Sequence, residues 1–367
     1  MLNIKRKMSS GLLFIFASLF FVSCQIGRFV FYNFSDIKDY KIFPSRLLRA
    51  GSSKFIFPVS QTGTFPEEIN GISIEKFLAE NNTVAFLIIK NDTIHYEKYF
   101  GTFDQKSIAP SFSIAKSITS ILIGCAIDDG LINSVDEPVT NYIPEMKENG
   151  FDKVTIKHLL QMTSGLDFNE SNLNPFGTTA TYYYGLNLRK KIPKIMLENE
   201  PETKFEYVSG NTQLLGLVLE RALQNKTITQ YLQEKLWTPL GMEYDASWSI
   251  DQKKNGIEKT FCCINARARD FAKIGRLYKN KGNWNRSQIV SQSWVEESIK
   301  LDTLNGSVSY YQFGWWLPTP GKDFLAQGHL GQYIYVNQLK DLIIVRLGEN
   351  EGKTNWWSIF SSLAEEY

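Results

Sequence analysis

Strand-like patterns sit at the two ends of this chain, and helical ones fill the space between them. Val84–Ile89 and Thr93–Tyr99 flank Asn91-Asp92, the signature of a β-hairpin. Strand patterns return only at Gln312–Leu317, Phe324–Ala326, Tyr333–Val336 and Leu342–Leu347. A lone hairpin is marginal in water, so the early pair must join the late strands in one sheet. That order predicts an α/β (α+β) fold. An antiparallel sheet is flanked by N- and C-terminal helices, and a large helical subdomain, about 117–300, is inserted into it. A cleft between two such parts is where a small-molecule site lies.

The flanking helices are legible too. Ser73 caps a short helix with Ile74, Phe77 and Leu78 on one face, and Trp356 to Glu366 reads as a terminal helix. Ser113 to Ile127 is helical, with Ile114, Ile118, Ile121, Leu122 and Cys125 at helical spacing and Asp129-Gly130 closing it. Asn169–Tyr184 reads as a loop. Gln25 to about Asn70 lacks sustained periodicity and reads as a tether and N-terminal extension that partly drapes over the body. The main domain is then 71–367.

Before it comes an address. Lys5, Arg6 and Lys7 precede an apolar run from Leu12 to Val22, then Ser23 and Cys24. A basic start, a short apolar stretch and a small residue before the cut describe a secretory signal over residues 1–23. Phe21-Val22-Ser23-Cys24 resembles a bacterial lipobox, although Phe stands where Leu is usual. The resemblance implies a lipidated Cys24, a membrane reached through that anchor, and a place in the cell envelope; the alternatives are a cleaved and secreted chain or an uncleaved membrane anchor. Cys125, Cys262 and Cys263 remain; a bridge between the adjacent pair would be strained, so no disulfide is expected to stabilise the fold.

Composition excludes several classes. Lys plus Arg is 40 against 38 Asp plus Glu, a net charge of +2 without the concentrated basic surface of a nucleic-acid binder. Three His and four Cys, with no CxxC pair and no HExxH, leave little material for a metal site.

Nucleophile patterns remain. GxSxG is absent, and SxxK occurs at Ser35–Lys38, Ser73–Lys76 and Ser113–Lys116. Ser35 lies in the tether and Ser73 is accounted for by capping. Ser113 opens a strongly apolar helix, and three residues on, Lys116 shares its face. A desolvated Lys loses pKa, and a neutral amine beside a hydroxyl activates it as a nucleophile. The bland alternative is a capping Ser with a solvated Lys. Tyr207 stands at a loop-to-helix junction before Leu214, Leu215, Leu217 and Val218, where it is either a packing residue or a proton shuttle. His329, between Gly328 and Leu330-Gly331, precedes an alternating strand and is otherwise a bystander.

Ser113-Ile-Ala-Lys116, Tyr207-Val-Ser209 and His329-Leu-Gly331, in that order, resemble the three active-site boxes of the class C β-lactamase-related serine hydrolases. His158–Leu166, Pro239–Met242 and Ala266–Asp270 look like that family too. The likeness implies its β-lactamase/transpeptidase-like fold and an acyl-enzyme on Ser113. Lys116 would be the base, Tyr207 the proton relay, and the N–H groups of Ser113 and Gln332 the oxyanion hole. Ser209, His329 and Gly331 would orient the substrate, and no cofactor is required. Ser209 stands where β-lactamases and DD-peptidases carry Asn, and His329 where β-lactamases carry Lys. These departures favour a small ester or amide over a β-lactam. A DD-carboxypeptidase acting on peptidoglycan stem peptides is the enzymatic alternative, and a non-catalytic binding lipoprotein the alternative from another class.

Overall fold

The computed structural model describes residues 25–32, 35–61, 67–69, 71–171, 174 and 176–367, so the signal segment and Cys24 lie outside the described residues. The main sheet has seven antiparallel strands: β1 Thr83–Lys90, β2 Thr93–Tyr99, β3 Tyr311–Gln312, β4 Trp315–Thr319, β5 Asp323–Gly328, β6 Gln332–Asn337 and β7 Leu342–Gly348. Their order is β3-β4-β5-β6-β7-β1-β2, so β1 pairs with β7 across the whole chain, Ile89 opposite Ile343 and Leu87 opposite Val345. The hairpin turn is Asn91-Asp92, both at positive φ, which suits residues that tolerate the left-handed region.

Side-chain alternation divides the sheet into two buried faces. Leu87, Ile89, Ile334, Val336, Ile343 and Val345 face helices α1 Ile114–Asp128 and, from later in the chain, Ala268–Lys279. The second of these lies close because Gly275 carries no side chain; a Cβ there would stand 2.9 Å from Ile334 and Ile343. Phe86, Ile88, Leu325, Tyr335 and Ile344 face the opposite way, onto Ile74, Phe77 and Leu78 of one terminal helix and Trp356, Phe360 and Leu363 of the other. Period two in the strands thus produces two cores.

Three sequence expectations are corrected. The segment before residue 70 does more than drape. Ser45–Leu48 pairs with Ala246–Ser249, and Ile37, Phe43, Leu48 and Phe57 are buried. Asn169–Tyr184 is not all loop, since α2 Thr178–Tyr184 forms within it and buries its tyrosines. Cys262 and Cys263 are joined in a disulfide, while Cys125 is free and buried. A bridge between neighbours closes almost no loop, so it removes little chain entropy and acts locally.

Candidate active site

Ser113 ends a sharp turn. Phe112 before it sits at φ 43°, a left-handed conformation that costs a residue with a Cβ about 1–3 kcal/mol. Ser113 takes the N-cap position of α1, yet its side chain makes no capping hydrogen bond. Instead its Oγ accepts from Lys116 Nζ at 2.9 Å. The capping alternative therefore fails at this serine, whereas Ser73 does accept from Lys76 N as a cap.

Lys116 is 2% exposed and, among the described residues, has no carboxylate within ion-pairing distance. Its ammonium donates to Ser113 Oγ, to Ser209 Oγ at 3.1 Å and to the Phe261 carbonyl at 3.3 Å. It also sits 4.9 Å from the centre of the Tyr207 ring. Burial lowers its pKa from 10.5 to about 8, against the opposing pull of the Glu170 charge. Tyr207 moves the other way. Burial pushes its hydroxyl well above 10, its hydrogen bond with Ser113 pulls it back, and Glu170 adds to the rise. At neutral pH Tyr207 is a phenol that can pass a proton, and the amine is the group that can take one.

Ser209 opens α3 Ser209–Leu223 and is buried. Its N–H donates to Glu170 Oε2 at 2.7 Å and its hydroxyl to Glu170 Oε1 at 2.6 Å. Glu170 carries no sequence signal, because it stands alone in a loop and only the fold brings it to this helix end. The Phe261 carbonyl was equally invisible, since a backbone oxygen has no side-chain pattern.

The serine opens into a cavity of about 360 Å³. Glu170 and Ser209 line one part; Phe112, Tyr183, Tyr184 and Phe261 supply aromatic wall, and Cys262 of the disulfide contributes as well. Phe29 and Ser35 reach it from the N-terminal segment. His329 lines it from the β5–β6 turn, its ring edge-on to Phe112 at 5.6 Å, and burial lowers its pKa. Lys116 spends its hydrogen bonds elsewhere than on His329.

Gly331 and Gln332 do not line the cavity. Gly331 O accepts from the buried Arg346 at 2.5 Å, and the fully buried Gln332 side chain donates to Gly348 O at 2.7 Å and His329 O at 3.3 Å. They hold the turn rather than face the pocket. The backbone that meets the nucleophile is at Gly328, where a Cβ would stand 3.1 Å from Ser113 N.

On the far side of Tyr207 lies an aromatic platform. Its ring centre is 5.1 Å from that of Trp316, which lies parallel to the exposed Tyr310 at 6.3 Å and leans on Trp357 at 5.7 Å. Trp315 instead packs into the core on Tyr278 and Phe324.

A family model described as Beta-lactamase matches residues 74–353. The 6-aminohexanoate-dimer hydrolase of Paenarthrobacter ureafaciens is 27% identical over 75% of this chain and 74% of its own length. Among solved structures, a Bacillus anthracis protein provisionally named a 6-aminohexanoate-dimer hydrolase superposes with a TM-score of 0.77 at 23% identity, covering 90% of this chain and 92% of that one. A family VIII carboxylesterase gives 0.62 at 15% identity, over 80% of this chain and 94% of its own.

Proposed function

Because the chain belongs to the beta-lactamase family of serine hydrolases, we propose that it cleaves a small ester or amide through an acyl-enzyme on Ser113. One observation carries the reading: a buried lysine of lowered pKa, in no ion pair among the described residues, donating to the hydroxyl of a serine that caps nothing. In the first step neutral Lys116 takes the Ser113 proton as Oγ bonds to the substrate carbonyl carbon. Collapse of the tetrahedral intermediate breaks the bond to the leaving oxygen or nitrogen, which receives a proton through Tyr207. Water then enters by the same route in reverse and frees the acid. The oxyanion faces backbone N–H groups. Ser113 N at the start of α1 is one. The second we assign to His329, which follows the glycine packed against Ser113, in place of Gln332.

Charge favours this substrate class over a DD-peptide. The cavity is lined by a carboxylate, Glu170, and among the described lining residues there is no Lys or Arg to clamp a substrate carboxylate. The acyl group fits the aromatic-walled cavity. The leaving group, which must sit where Tyr207 can protonate it, meets the Trp316 platform. Placement in the cell envelope through a lipidated Cys24 belongs to the same proposal and rests on the N-terminal sequence alone.

A fluorophosphonate probe tests the nucleophile. Wild type is labelled and Ser113→Ala is not, with an unchanged melting temperature; labelling that survives in Ser113→Ala refutes the mechanism. Short-chain p-nitrophenyl esters should exceed nitrocefin in kcat/KM on one preparation.

A further inference from the structure

We infer that Glu170 is a positioning residue for the acylation step: by holding the Ser209 hydroxyl hydrogen, it leaves Ser113 as the one partner that can meet the lone pair of neutral Lys116. The inference rests on the Ser113–Lys116 reading above and concerns how that base is aimed.

The case is a count of hydrogens. A charged lysine has three N–H donors, and Lys116 has three acceptors around it: Ser113 Oγ, Ser209 Oγ and the Phe261 carbonyl. Neutral Lys116 has two N–H donors and one lone pair. A carbonyl cannot donate, so Phe261 can only consume an N–H. Ser209 could do either, because its hydroxyl rotates. Its hydrogen, however, is committed to Glu170 Oε1 at 2.6 Å, and a carboxylate only accepts. Ser209 Oγ therefore offers Lys116 a lone pair and takes the second N–H. The amine lone pair is left with one hydrogen to meet, that of Ser113. The second Glu170 oxygen fixes the carboxylate by accepting Ser209 N at 2.7 Å.

Replacing the carboxylate by an amide undoes this. In Glu170→Gln the side-chain NH2 can donate to Ser209 Oγ, which turns the Ser209 hydrogen onto the Lys116 lone pair. The base is then occupied by the wrong hydroxyl. The titratable groups facing Lys116 are Glu170 and Tyr207, with His329 across the cavity, so the comparison belongs on the alkaline plateau, where the amine is neutral in every variant.

The competing explanation is that Glu170 merely caps α3 through Ser209 N. A double-mutant cycle separates the two. Burst-phase acylation by a p-nitrophenyl ester is measured for wild type, Glu170→Gln, Ser209→Ala and the double variant. We expect Glu170→Gln to lower the plateau acylation rate tenfold or more, a part of the roughly 10²–10⁴-fold that general-base catalysis contributes, with substrate affinity nearly unchanged. In the Ser209→Ala background the same change should alter the rate by less than about twofold, since the hydroxyl it misdirects is gone. Equal losses in both backgrounds overturn the inference. So does a Glu170→Gln protein that acylates normally and only melts earlier, which is the behaviour of a cap. Wild type that shows no burst and no Ser113 labelling overturns the proposed function along with it, whereas normal Ser113 acylation insensitive to Glu170→Gln overturns this inference alone.

Discussion

Acylation should follow the protonation of Lys116, and the structure sets where. Burial lowers its pKa to about 8, and the active form is the neutral amine. At pH 7, roughly a tenth of the molecules are competent, and at pH 9 about nine-tenths, so the burst rate should rise about tenfold between them and level off above. Tyr207 keeps its proton throughout because its pKa is raised, and His329, lowered from 6.5, loses its own before the limb begins. Lys259 is a second buried lysine whose pKa burial lowers, to about 7, and it donates to the carbonyls of Tyr182 and Tyr183 behind the cavity wall. A limb that persists in Lys259→Met belongs to Lys116. The same shift has a stability counterpart. Between about pH 8 and 10.5 the unfolded chain holds a proton that the folded Lys116 has lost, so stability rises with pH across that window. The fall from 10.5 to about 8 corresponds to about 3 kcal/mol. The penalty is complete below about pH 8 and relieved above 10.5. Urea titrations across the window should show that slope, and Lys116→Met should reduce it to the share that Lys259, lowered to about 7, still contributes. Stopped-flow rates that are flat from pH 7 to 9, or a limb centred near 10.5, would refute the reasoning, because the amine would then not be the desolvated base.

Two substitutions probe the walls of the site. In Gly328→Ala the new Cβ would meet Ser111 O at 2.3 Å and Ser113 N at 3.1 Å, backbone atoms that cannot swing aside; kcat/KM for esters should fall on the order of 10²–10³-fold, as when one oxyanion donor is lost. Trp316→Ala removes the platform beside Tyr207; kcat/KM for a phenyl ester should drop about 2–10-fold, the worth of one aromatic contact, while the methyl ester of the same acid is unaffected.

Local chemistry made much of the fold legible. The strand patterns at Val84–Ile89 and Leu342–Leu347 predicted strands, and both form and pair with each other. Asn91-Asp92 predicted the hairpin turn. What escaped were contacts with no local signal. Ser45 pairs with Ser249 across some two hundred residues, and neither short segment alternates long enough to announce a strand. The three tyrosines of α2 became helical through burial, against an aromatic-rich sequence of modest helix propensity. The Cys262–Cys263 bridge, judged too strained from spacing, forms where Cys263 takes φ 72°.

The site divides the same way, and the division explains why Ser209 and Glu170 belong together. Ser113 and Lys116 are three residues apart on one helix, so their meeting could be read from spacing. Where β-lactamases and DD-peptidases place an Asn, this chain has Ser209. An amide presents a donor and an acceptor at fixed positions, so it needs no help to tell a lysine which way to point. A hydroxyl is a single rotor that can donate or accept, and beside a neutral amine that freedom is a liability, because donation would quench the base. Glu170 removes the choice by taking the hydrogen at 2.6 Å. Shortening Asn to Ser is therefore compatible with acyl transfer here only in company with a carboxylate from elsewhere in the chain. Because that carboxylate arrives on a loop thirty-nine positions earlier, no pattern around Tyr207-Val-Ser209 could have announced it.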